Sequence, residues 1–469
     1  MIINKIKIKS PELLAPAGSL EKLKIDLIYG ADAVYFGLPG FSLRARASQF
    51  KKSEIKEGVE FCRKMNKKFY VALNIYAHNI HIDNLEKQLD FIGEIKPDGV
   101  ILSDPGILRR VKKKLPEIDI HLSTQANATN KEAVKFWQEQ GVKRIILARE
   151  VSLKEAKEIK KAVPEMELEY FVHGAMCMAY SGRCILSKWM LGRSANLGDC
   201  AQPCRWGWNS AFDKSNRRDL RGATYLQDKI NSFFCSIFSK NLFKIIMPKV
   251  KIGNKIKELK TTRVVDDKNR FEIDIEENEN GTFLFNSNDI CLIENLSNLM
   301  EAGIDSIKIE GRNKSVYYVA IVVSAYRKVL NALKKGNVRE AEKEIKKQKK
   351  ELKGLSNRGY WTGFAFENEP PHLFDKTSIE SKEEFVGIFS FEEQDLKSNK
   401  RKTFVHNCLK KGDKIEVVMP EKILKNKIVA IKDEKGENLQ SAHGGQGKFF
   451  WIEFEKEVKG MGVLRKKVE

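Results

Sequence analysis

Four cysteines fall within one short stretch of the chain: Cys177, Cys184, Cys200 and Cys204. Four thiolates are the usual ligand set of an iron–sulfur cluster. Zinc also takes four thiolates, but its sites typically contain closely spaced pairs, whereas the first two cysteines here are seven residues apart and the last two are four apart. The spacing therefore favours an iron–sulfur cluster, and it leaves zinc and unligated thiols open as alternatives.

Polar residues follow the predicted buried strands, where the catalytic face of a barrel would lie. Arg149 and Arg312 are the best candidates for binding an anion, because a guanidinium holds a carboxylate or phosphate through two parallel hydrogen bonds. For any charged residue at a strand end, a structural ion pair is the alternative interpretation. The full set of strand-end candidates is Asn74, Asp104, Gln125, Asn127, Arg149, Glu150, Glu310 and Arg312.

His173 lies four residues before Cys177. The pair is consistent with a Cys–His nucleophile, with a histidine that tunes a cluster through a hydrogen bond, or with a structural histidine. Trp206 and Trp208 flank the cysteine stretch. They are suited to stack an extruded base or to shield a cluster from water, and the second role is slightly favoured.

Alternating strands and helices must position these residues. Leu20, Leu23 and Leu27 form one apolar helical face, with Ser19 as its N-cap. Eight strand–helix units predict an α/β fold, a TIM-like (β/α)8 barrel. An open doubly wound sheet is the runner-up, but no glycine-rich dinucleotide fingerprint follows the first strand. The predicted strands are Glu12–Ala15, Ala33–Phe36, Phe69–Asn74, Gly99–Ser103, Ile120–Thr124, Arg144–Ala148, Glu167–Val172 and Ser306–Ile309.

The predicted organisation has three parts: a barrel domain over 1–335, a helical linker over 336–383 and an all-β domain over 384–469. An insertion over about 176–300 separates strands seven and eight, and its part Asn209–Asn280 is predicted to be irregular. The last part contains six predicted short strands, which indicate a small β-barrel. Such a barrel either contacts nucleic acid or is only a structural cap.

The charge and hydrophobicity of the chain indicate which partners it can have. The chain has 469 residues, 42% of them hydrophobic, and a formal net charge of +21. Such a charge suits a polyanion such as RNA, although a general bias towards lysine would also produce it. The N-terminus lacks the apolar core of a secretion signal, and no apolar run approaches the roughly 20 residues of a membrane span. A cytoplasmic location without membrane contact is expected.

Several sequence blocks resemble the peptidase U32 family. Residues 169–177 read Glu-Tyr-Phe-Val-His-Gly-Ala-Met-Cys and are followed by Gly-Arg-Cys-Ile-Leu-Ser at 182–187. Further matching blocks lie at 12–18, 30–37, 196–206, 308–312 and 358–363. The resemblance covers roughly 1–205 and 282–469.

The resemblance implies one of two activities. Some members of the family are peptidases, including collagen-degrading ones, but the sequence contains neither a Gly-x-Ser-x-Gly elbow nor a His-Glu-x-x-His motif. Others hydroxylate without oxygen a wobble uridine in tRNA, a cytidine in ribosomal RNA, or ubiquinone precursors. The C-terminal β-domain is found in the tRNA type, so the resemblance favours 5-hydroxyuridine formation in tRNA. A non-catalytic RNA-binding or scaffold protein is the third hypothesis.

The resemblance also implies a cofactor and a co-substrate. A [4Fe–4S] cluster is expected on Cys177, Cys184, Cys200 and Cys204, with Cys235 or Cys291 as an alternative fourth ligand because quinone-type members place theirs later. Prephenate, a dicarboxylate, is the expected source of the hydroxyl group. The expected catalytic residues are His173, Glu310, Arg312 and Arg149.

Overall fold

The structure is a computed structural model. It describes residues 10–42, 50–177, 179–205, 287–367, 378–391, 398–445 and 447–468, together with the backbone of four short strands between 251 and 276. Cys235, Trp206 and Trp208 lie outside the described residues, so the predictions made for them stay predictions.

The N-terminal half alternates strands and helices as the sequence predicts. The strands are β1 (Glu12–Pro16), β2 (Ala33–Gly37), β3 (Lys68–Leu73), β4 (Gly99–Leu102), β5 (Asp119–Leu122), β6 (Arg144–Ile146) and β7 (Glu167–Ala175). The helices are α1 (Leu20–Ile28), α2 (Lys52–Lys64), α3 (Asn79–Ile95), α4 (Pro105–Lys114), α5 (Lys131–Glu139), α6 (Leu153–Ala162) and α7 (Leu186–Leu191). Ser19 caps α1, as expected, by accepting a hydrogen bond from the Lys22 amide at 3.3 Å.

The insertion after β7 contains regular structure, so the prediction of an irregular 209–280 is wrong for the parts described. Strands β8 (Lys251–Ile252) and β9 (Lys255–Ile256) pair antiparallel, as do β10 (Thr261–Val265) and β11 (Glu272–Glu276). In β11 apolar and polar residues alternate, which is the strand pattern that the Lys-rich composition obscured. Strand β12 (Asp289–Cys291) pairs antiparallel with the last residues of β7, and helix α8 (Leu296–Glu301) follows.

Strand β13 (Ser306–Ile309) closes the barrel. It pairs parallel with β1 on one side and with β7 on the other, while β1 to β7 pair parallel in sequence order. The predicted TIM-like barrel of eight parallel strands is therefore confirmed. Its interior is filled by a cluster of buried side chains: Leu14, Ala33, Tyr35, Tyr70, Ala72, Ile101, Ile146 and Phe171.

Two helices follow the barrel. Helix α9 (Val316–Lys334) begins at Ser315, whose hydroxyl accepts from the Tyr318 amide, and α10 (Val338–Lys353) packs beside it. Among the described residues, α9 is the helix with the length and composition of a membrane span, but most of it is buried inside the protein, as in a core helix. Strand β14 (Tyr360–Trp361) then joins the barrel sheet beside β12. The segment predicted as a helical linker thus contains a helix and a strand, and the domain limits stay predictions.

The C-terminal part is a small all-β barrel, as expected. Its strands are β15 (Glu383–Phe389), β16 (Ser398–Val405), β17 (Leu409–Lys410), β18 (Lys414–Val418), β19 (Ile423–Lys432), β20 (Asn438–Leu439), β21 (Ser441–Ala442), β22 (Phe449–Val458) and β23 (Val463–Lys467). Seven of them hydrogen-bond in the order β18-β23-β15-β16-β22-β19-β20, and an additional pairing between β18 and β19 closes the sheet.

The small barrel packs against α1 and α9. The Tyr29 hydroxyl at the end of α1 donates to the Val418 carbonyl at 2.6 Å and accepts from the Val463 amide at 3.2 Å. Near the start of α9, Arg465 of β23 donates to the Tyr317 hydroxyl at 3.2 Å. The two parts of the chain therefore share a buried polar interface along the side of the large barrel.

Candidate active site

The carboxyl ends of the barrel strands bring three of the predicted residues around one tyrosine. Arg149 follows β6, and Glu310 and Arg312 follow β13. The Tyr35 hydroxyl of β2 lies 3.5 Å from the Glu310 carboxylate, and the Arg312 guanidinium carbon lies 5.5 Å from the centre of the Tyr35 ring. Burial raises the pKa of the Tyr35 phenol well above the usual value, Glu310 raises it further, and Arg312 and Arg149 lower it. The Arg312 guanidinium also donates to the Ser42 hydroxyl at 2.7 Å. Arg149, Glu310 and Arg312 thus share one charged site at the barrel mouth.

Arg149 is the cation at this mouth that is best placed to receive an anion. Its guanidinium carbon lies 4.1 Å from the centre of the Phe171 ring, which holds the side chain over the aromatic face. Its Nε atom is buried without a hydrogen-bond partner, and within the described residues Arg149 forms no ion pair. A carboxylate arriving from solvent would satisfy both the charge and the unused donor.

Deeper in the barrel, the cations are already paired. Lys308 donates to Glu169 at 2.7 Å, and Arg144 contacts both Glu169 at 3.2 Å and Glu12 at 2.6 Å. Burial lowers the pKa of Lys308, and Glu169 partly offsets this effect. The sequence analysis missed this network, although charged residues inside otherwise apolar strand runs were a signal for it.

The segment that carries the cysteines is bound to the barrel mouth. The Tyr76 hydroxyl donates to the Gly182 carbonyl and lies 3.2 Å from the Gln125 carbonyl. The Tyr76 amide donates to the Asn196 carbonyl at 3.0 Å, and the Gln125 side chain donates to the Asn196 side chain at 3.3 Å. Residues on both sides of Cys184 are therefore fixed to loops at the ends of β3 and β5.

A second set of contacts fixes the same segment next to Arg149. The Ser181 amide donates to the Glu150 carboxylate, and the Ser181 hydroxyl accepts from the Arg149 amide at 3.3 Å. Gln125 and Glu150, two of the strand-end candidates, thus position the cysteine segment. This arrangement places the cysteine segment beside the charged mouth of the barrel.

The four thiols lie within electrostatic range of one another. Burial raises the pKa of the Cys204 thiol to about 11; neighbouring Arg205 lowers it, and the other three cysteines raise it. Burial likewise raises the pKa of Cys184, with contributions from Cys177 and Cys200. The Gln202 amide donates to the Cys200 sulfur at 3.3 Å.

The donor set fits an iron–sulfur cluster better than a single ion. In the part of the chain that the structure describes, no three His, Cys, Asp or Glu side chains converge closely enough to hold one metal ion. A four-iron cluster needs a wider arrangement, because each thiolate binds a different iron atom. The four thiols of the segment are the number and type of donor that such a cluster takes, and metal binding would displace the thiol protons.

Cys291 has different surroundings. Burial raises the pKa of its thiol to about 11, and a hydrogen bond with Tyr326 lowers it. Glu294 and Lys349 are the charged groups that influence it further. Its proposed role as an alternative fourth ligand stays a prediction. Cys62 is fully buried, as expected of a small apolar side chain, whereas Cys408 is only partly buried.

His173 lies in a cage of tyrosines. Its ring centre is 5.3–5.9 Å from those of Tyr318, Tyr326 and Tyr360, and its Nδ1 atom is 3.3 Å from the Tyr326 hydroxyl. Burial lowers its pKa to about 3, an effect that Asp289 opposes. The ring is therefore neutral near pH 7. These contacts suit the structural role that the sequence left open, and a catalytic role stays a prediction.

The other strand-end candidates have local roles. Asp104 is the N-cap of α4 and accepts from the Gly106 amide at 2.8 Å. The Asn74 side chain donates to the Ser123 hydroxyl at 3.2 Å. Asn127 ends a short 3-10 helix in the left-handed conformation, with φ 52°. Asp104 therefore shapes the loops around the mouth, and Asn74 connects two of them.

A buried charge cluster beside the cysteines was missed by the sequence analysis. The Arg358 side chain donates to the Asp289 carboxylate at 3.0 Å. Burial raises the pKa of Asp289, but Arg358, Lys314 and Arg205 together outweigh burial and lower it. Burial lowers the pKa of Arg205, and Cys177 and Cys204 raise it. The region around the thiols is thus rich in positive charge, which suits thiolates.

The sequence of the chain is similar to a known protein family and to several individual proteins. Residues 18–374 match the model of "Peptidase family U32", and 381–465 match "Peptidase family U32 C-terminal domain". The chain is 34% identical to "tRNA hydroxylation protein P" of Escherichia coli over 96% of this chain and 95% of that protein. It is 38% identical to "tRNA hydroxylation protein P1" of Bacillus subtilis over 92% of this chain and 90% of that protein. It is also 31% identical to the Escherichia coli "23S rRNA 5-hydroxycytidine C2501 synthase" over 69% of this chain and 39% of that protein.

Proposed function

The chain belongs to peptidase family U32, and from this membership we propose that it is an RNA-modifying enzyme that hydroxylates the C5 atom of the wobble uridine in tRNA. Relatives named as tRNA hydroxylation proteins match it over almost their whole length. The observation that carries the proposal is the segment with four thiols bound against the charged mouth of the barrel.

The thiols of Cys177, Cys184, Cys200 and Cys204 would hold a [4Fe–4S] cluster. Replacement of the C5 hydrogen by a hydroxyl group releases one proton and two electrons, so the reaction needs an oxygen donor and a two-electron acceptor outside the chain. The cluster, when bound, supplies electron transfer. Tyr76 keeps the cysteine segment in place through its hydrogen bonds to the Gly182 and Asn196 carbonyls.

The hydroxyl donor would bind at Arg149 and Arg312. Prephenate carries two carboxylates, and two guanidinium groups at one mouth match such a dianion. Arg149 follows β6 and Arg312 follows β13, so both belong to the carboxyl end of the barrel. Arg149 is supported by the Phe171 ring, so its guanidinium is held in position before the donor arrives.

The RNA would approach this mouth from solvent. The formal net charge of +21 draws a polyanion to the protein. A base must leave its stack before its C5 atom can enter a barrel mouth. The wobble position lies in a single-stranded loop, where extrusion costs less than in a duplex.

Nucleoside mass spectrometry of a deletion strain tests the proposal. We expect 5-hydroxyuridine and its derivatives to disappear from tRNA and to return when the wild-type chain is supplied. A chain carrying Cys200→Ser should not restore them, whereas Cys408→Ser, in a cysteine outside the segment, should. If 5-hydroxycytidine is lost from ribosomal RNA and tRNA is unchanged, the substrate is ribosomal RNA and not tRNA. If the chain cleaves gelatin and both RNAs are unchanged in the deletion strain, the chain is a peptidase and the proposal is wrong.

A further inference from the structure

An aromatic row runs from the start of α9 onto the small barrel. We define it by Tyr317, Phe385, His406, Phe404 and Phe449, in spatial order. Neighbouring ring centres are 5.5, 4.5, 5.0 and 5.5 Å apart. Tyr317 lies in the first turn of α9, where its hydroxyl accepts from Arg465 of β23. The row therefore runs from the interface between the two barrels onto β16 and β22.

Beyond the end of the row, Trp451 is exposed on the same sheet face. In β22, Phe450, Ile452 and Phe454 are buried in the core, so Phe449 and Trp451 point to the opposite face. Trp451 is 37% exposed. Water contact with apolar surface costs roughly 25 cal/mol per Å². A large aromatic side chain on the outer face of a strand is therefore a candidate contact for a partner.

Lysines flank Trp451 on both neighbouring strands. Lys402 of β16 and Lys432 of β19 are its direct cross-strand partners. The Lys402 ammonium lies 5.1 Å from the centre of the Phe449 ring. Within the described residues, Lys432 forms no ion pair. The face thus presents an indole ring between two ammonium groups.

We propose that this face binds a single-stranded stretch of RNA, with a base stacked on Trp451 and phosphates at Lys402 and Lys432. The inference rests on the proposed function and adds to it the surface that holds the substrate. Stacking on aromatic rings and contact with nearby cations are the two components of single-strand binding. Bases inside a duplex are already stacked on each other, so the face selects unpaired ones.

The face lies on the small barrel, whereas Arg149 and Arg312 lie at the mouth of the large barrel. RNA bound at the face would be held to the enzyme by a contact separate from the reacting base. Trp451 acts as a positioning residue for the substrate and does not touch the reacting atoms.

Binding measurements on the full-length, anaerobically purified chain test the inference. The probes are a labelled, unstructured oligouridine RNA and a duplex RNA of the same length. Trp451→Ala should raise the Kd for the single strand about tenfold or more, since a stacked base contributes about 1–3 kcal/mol. Trp451→Phe retains a ring and should keep most of the affinity. Phe136→Ala is the matched control, because Phe136 is 53% exposed on α5 of the large barrel.

A second variant tests the phosphate contacts separately. In the double variant Lys402→Gln/Lys432→Gln, the slope of log Kd against log salt should fall by about 1.4, since each phosphate contact on a single strand contributes about 0.7. The exposed pair Lys64→Gln/Lys113→Gln, on α2 and α4, has the same charge change and should leave the slope nearly unchanged.

The outcomes separate this inference from the proposed function. If Trp451→Ala binds the single strand as tightly as the wild type and restores 5-hydroxyuridine in the deletion strain at the wild-type level, the inference is wrong and the function stands. Equal loss of affinity in Trp451→Ala and Phe136→Ala also overturns it, as does preferential binding of the duplex. If the wild-type chain neither binds RNA nor restores the nucleoside, the proposed function fails and the inference fails with it.

Discussion

Gly182 is the residue at which the docking of the cysteine segment can be disturbed with least effect on the barrel. Its φ is +77°, in the left-handed region. A Cβ atom there would lie 2.2 Å from the Gln125 carbonyl oxygen and 2.8 Å from the Tyr76 hydroxyl oxygen. Because the nearer atom belongs to the backbone of the neighbouring loop, Gly182→Ala forces the segment away from the mouth.

Gly192 provides the matched control. It lies in the same segment with φ +68°, but a Cβ atom there would meet nothing within 4 Å. Both substitutions place alanine in the left-handed region, at a cost of roughly 1–2 kcal/mol. Only Gly182→Ala also breaks the hydrogen bonds around Tyr76, each contributing about 1 kcal/mol. Two such bonds predict a further loss of about 2 kcal/mol, roughly a 30-fold shift towards the undocked segment.

Hydrogen–deuterium exchange measures this shift. The Tyr76 amide donates to the Asn196 carbonyl, so its exchange rate reports docking directly from the barrel side. Gly182→Ala should speed exchange at Tyr76 about 30-fold relative to Gly192→Ala, and anaerobic iron content should fall in Gly182→Ala alone. Equal exchange and equal iron in the two variants would refute the idea that contacts at the mouth hold the segment.

Three further predictions concern the barrel. The pKa of His173 is about 3 in the folded chain, whereas its ordinary value is 6.5. As the pH falls, the unfolded chain therefore binds a proton before the folded chain does, and the wild type should lose about 2 kcal/mol of unfolding free energy between pH 6.5 and 5. His173→Phe should not show this loss, and urea titration at the two pH values measures it. Arg149→Lys should raise the KM for prephenate about tenfold with unchanged affinity for RNA, because a lysine cannot bind a carboxylate through two parallel bonds; an unchanged KM contradicts the clamp. Glu169→Gln should lower the free energy of unfolding by about 3 kcal/mol, since it leaves the buried Lys308 ammonium without its ion-pair partner, whereas Arg144 keeps Glu12; equal denaturation midpoints would contradict this.

The barrel was predictable from sequence because each strand carries its own signal. A short apolar run and the capped helix after it are local patterns, and Ser19 and Ser315 cap the helices as their positions indicate. The ends of the strands then follow, so Arg149 and Arg312 could be assigned to the mouth without any coordinates. The four cysteines are also close together in the sequence, so their spacing could be interpreted without knowledge of the fold.

Contacts between distant parts of the chain left no such signal. Tyr76 reads as an ordinary residue after a strand, and only the fold brings its hydroxyl to Gly182. The pairing of Asp289 with Arg358 depends on two short strands that pair after the insertion. Trp451 looked like one more apolar residue of a β-strand, because the sequence does not show which face of a small barrel is covered.

His173 shows how a motif can suggest more than one role. Its nearness to Cys177 in sequence fits a catalytic pair, but strand β7 continues for two residues beyond the histidine before the chain turns. The ring is therefore surrounded by tyrosines from α9 and β14. The spacing of two residues along a chain does not fix the direction in which a side chain points at the end of a strand.

The most direct test of the account is the iron and acid-labile sulfide content of the anaerobically purified chain, measured together with its visible and electron paramagnetic resonance spectra. The wild type and Cys408→Ser should each contain about four iron and four sulfide per chain, as a four-iron cluster requires. Cys184→Ser, Cys200→Ser and Cys204→Ser should each lose most of both. Colourless wild-type protein, or full iron content in all three variants, would contradict a cluster held by the cysteine segment at the mouth of the barrel.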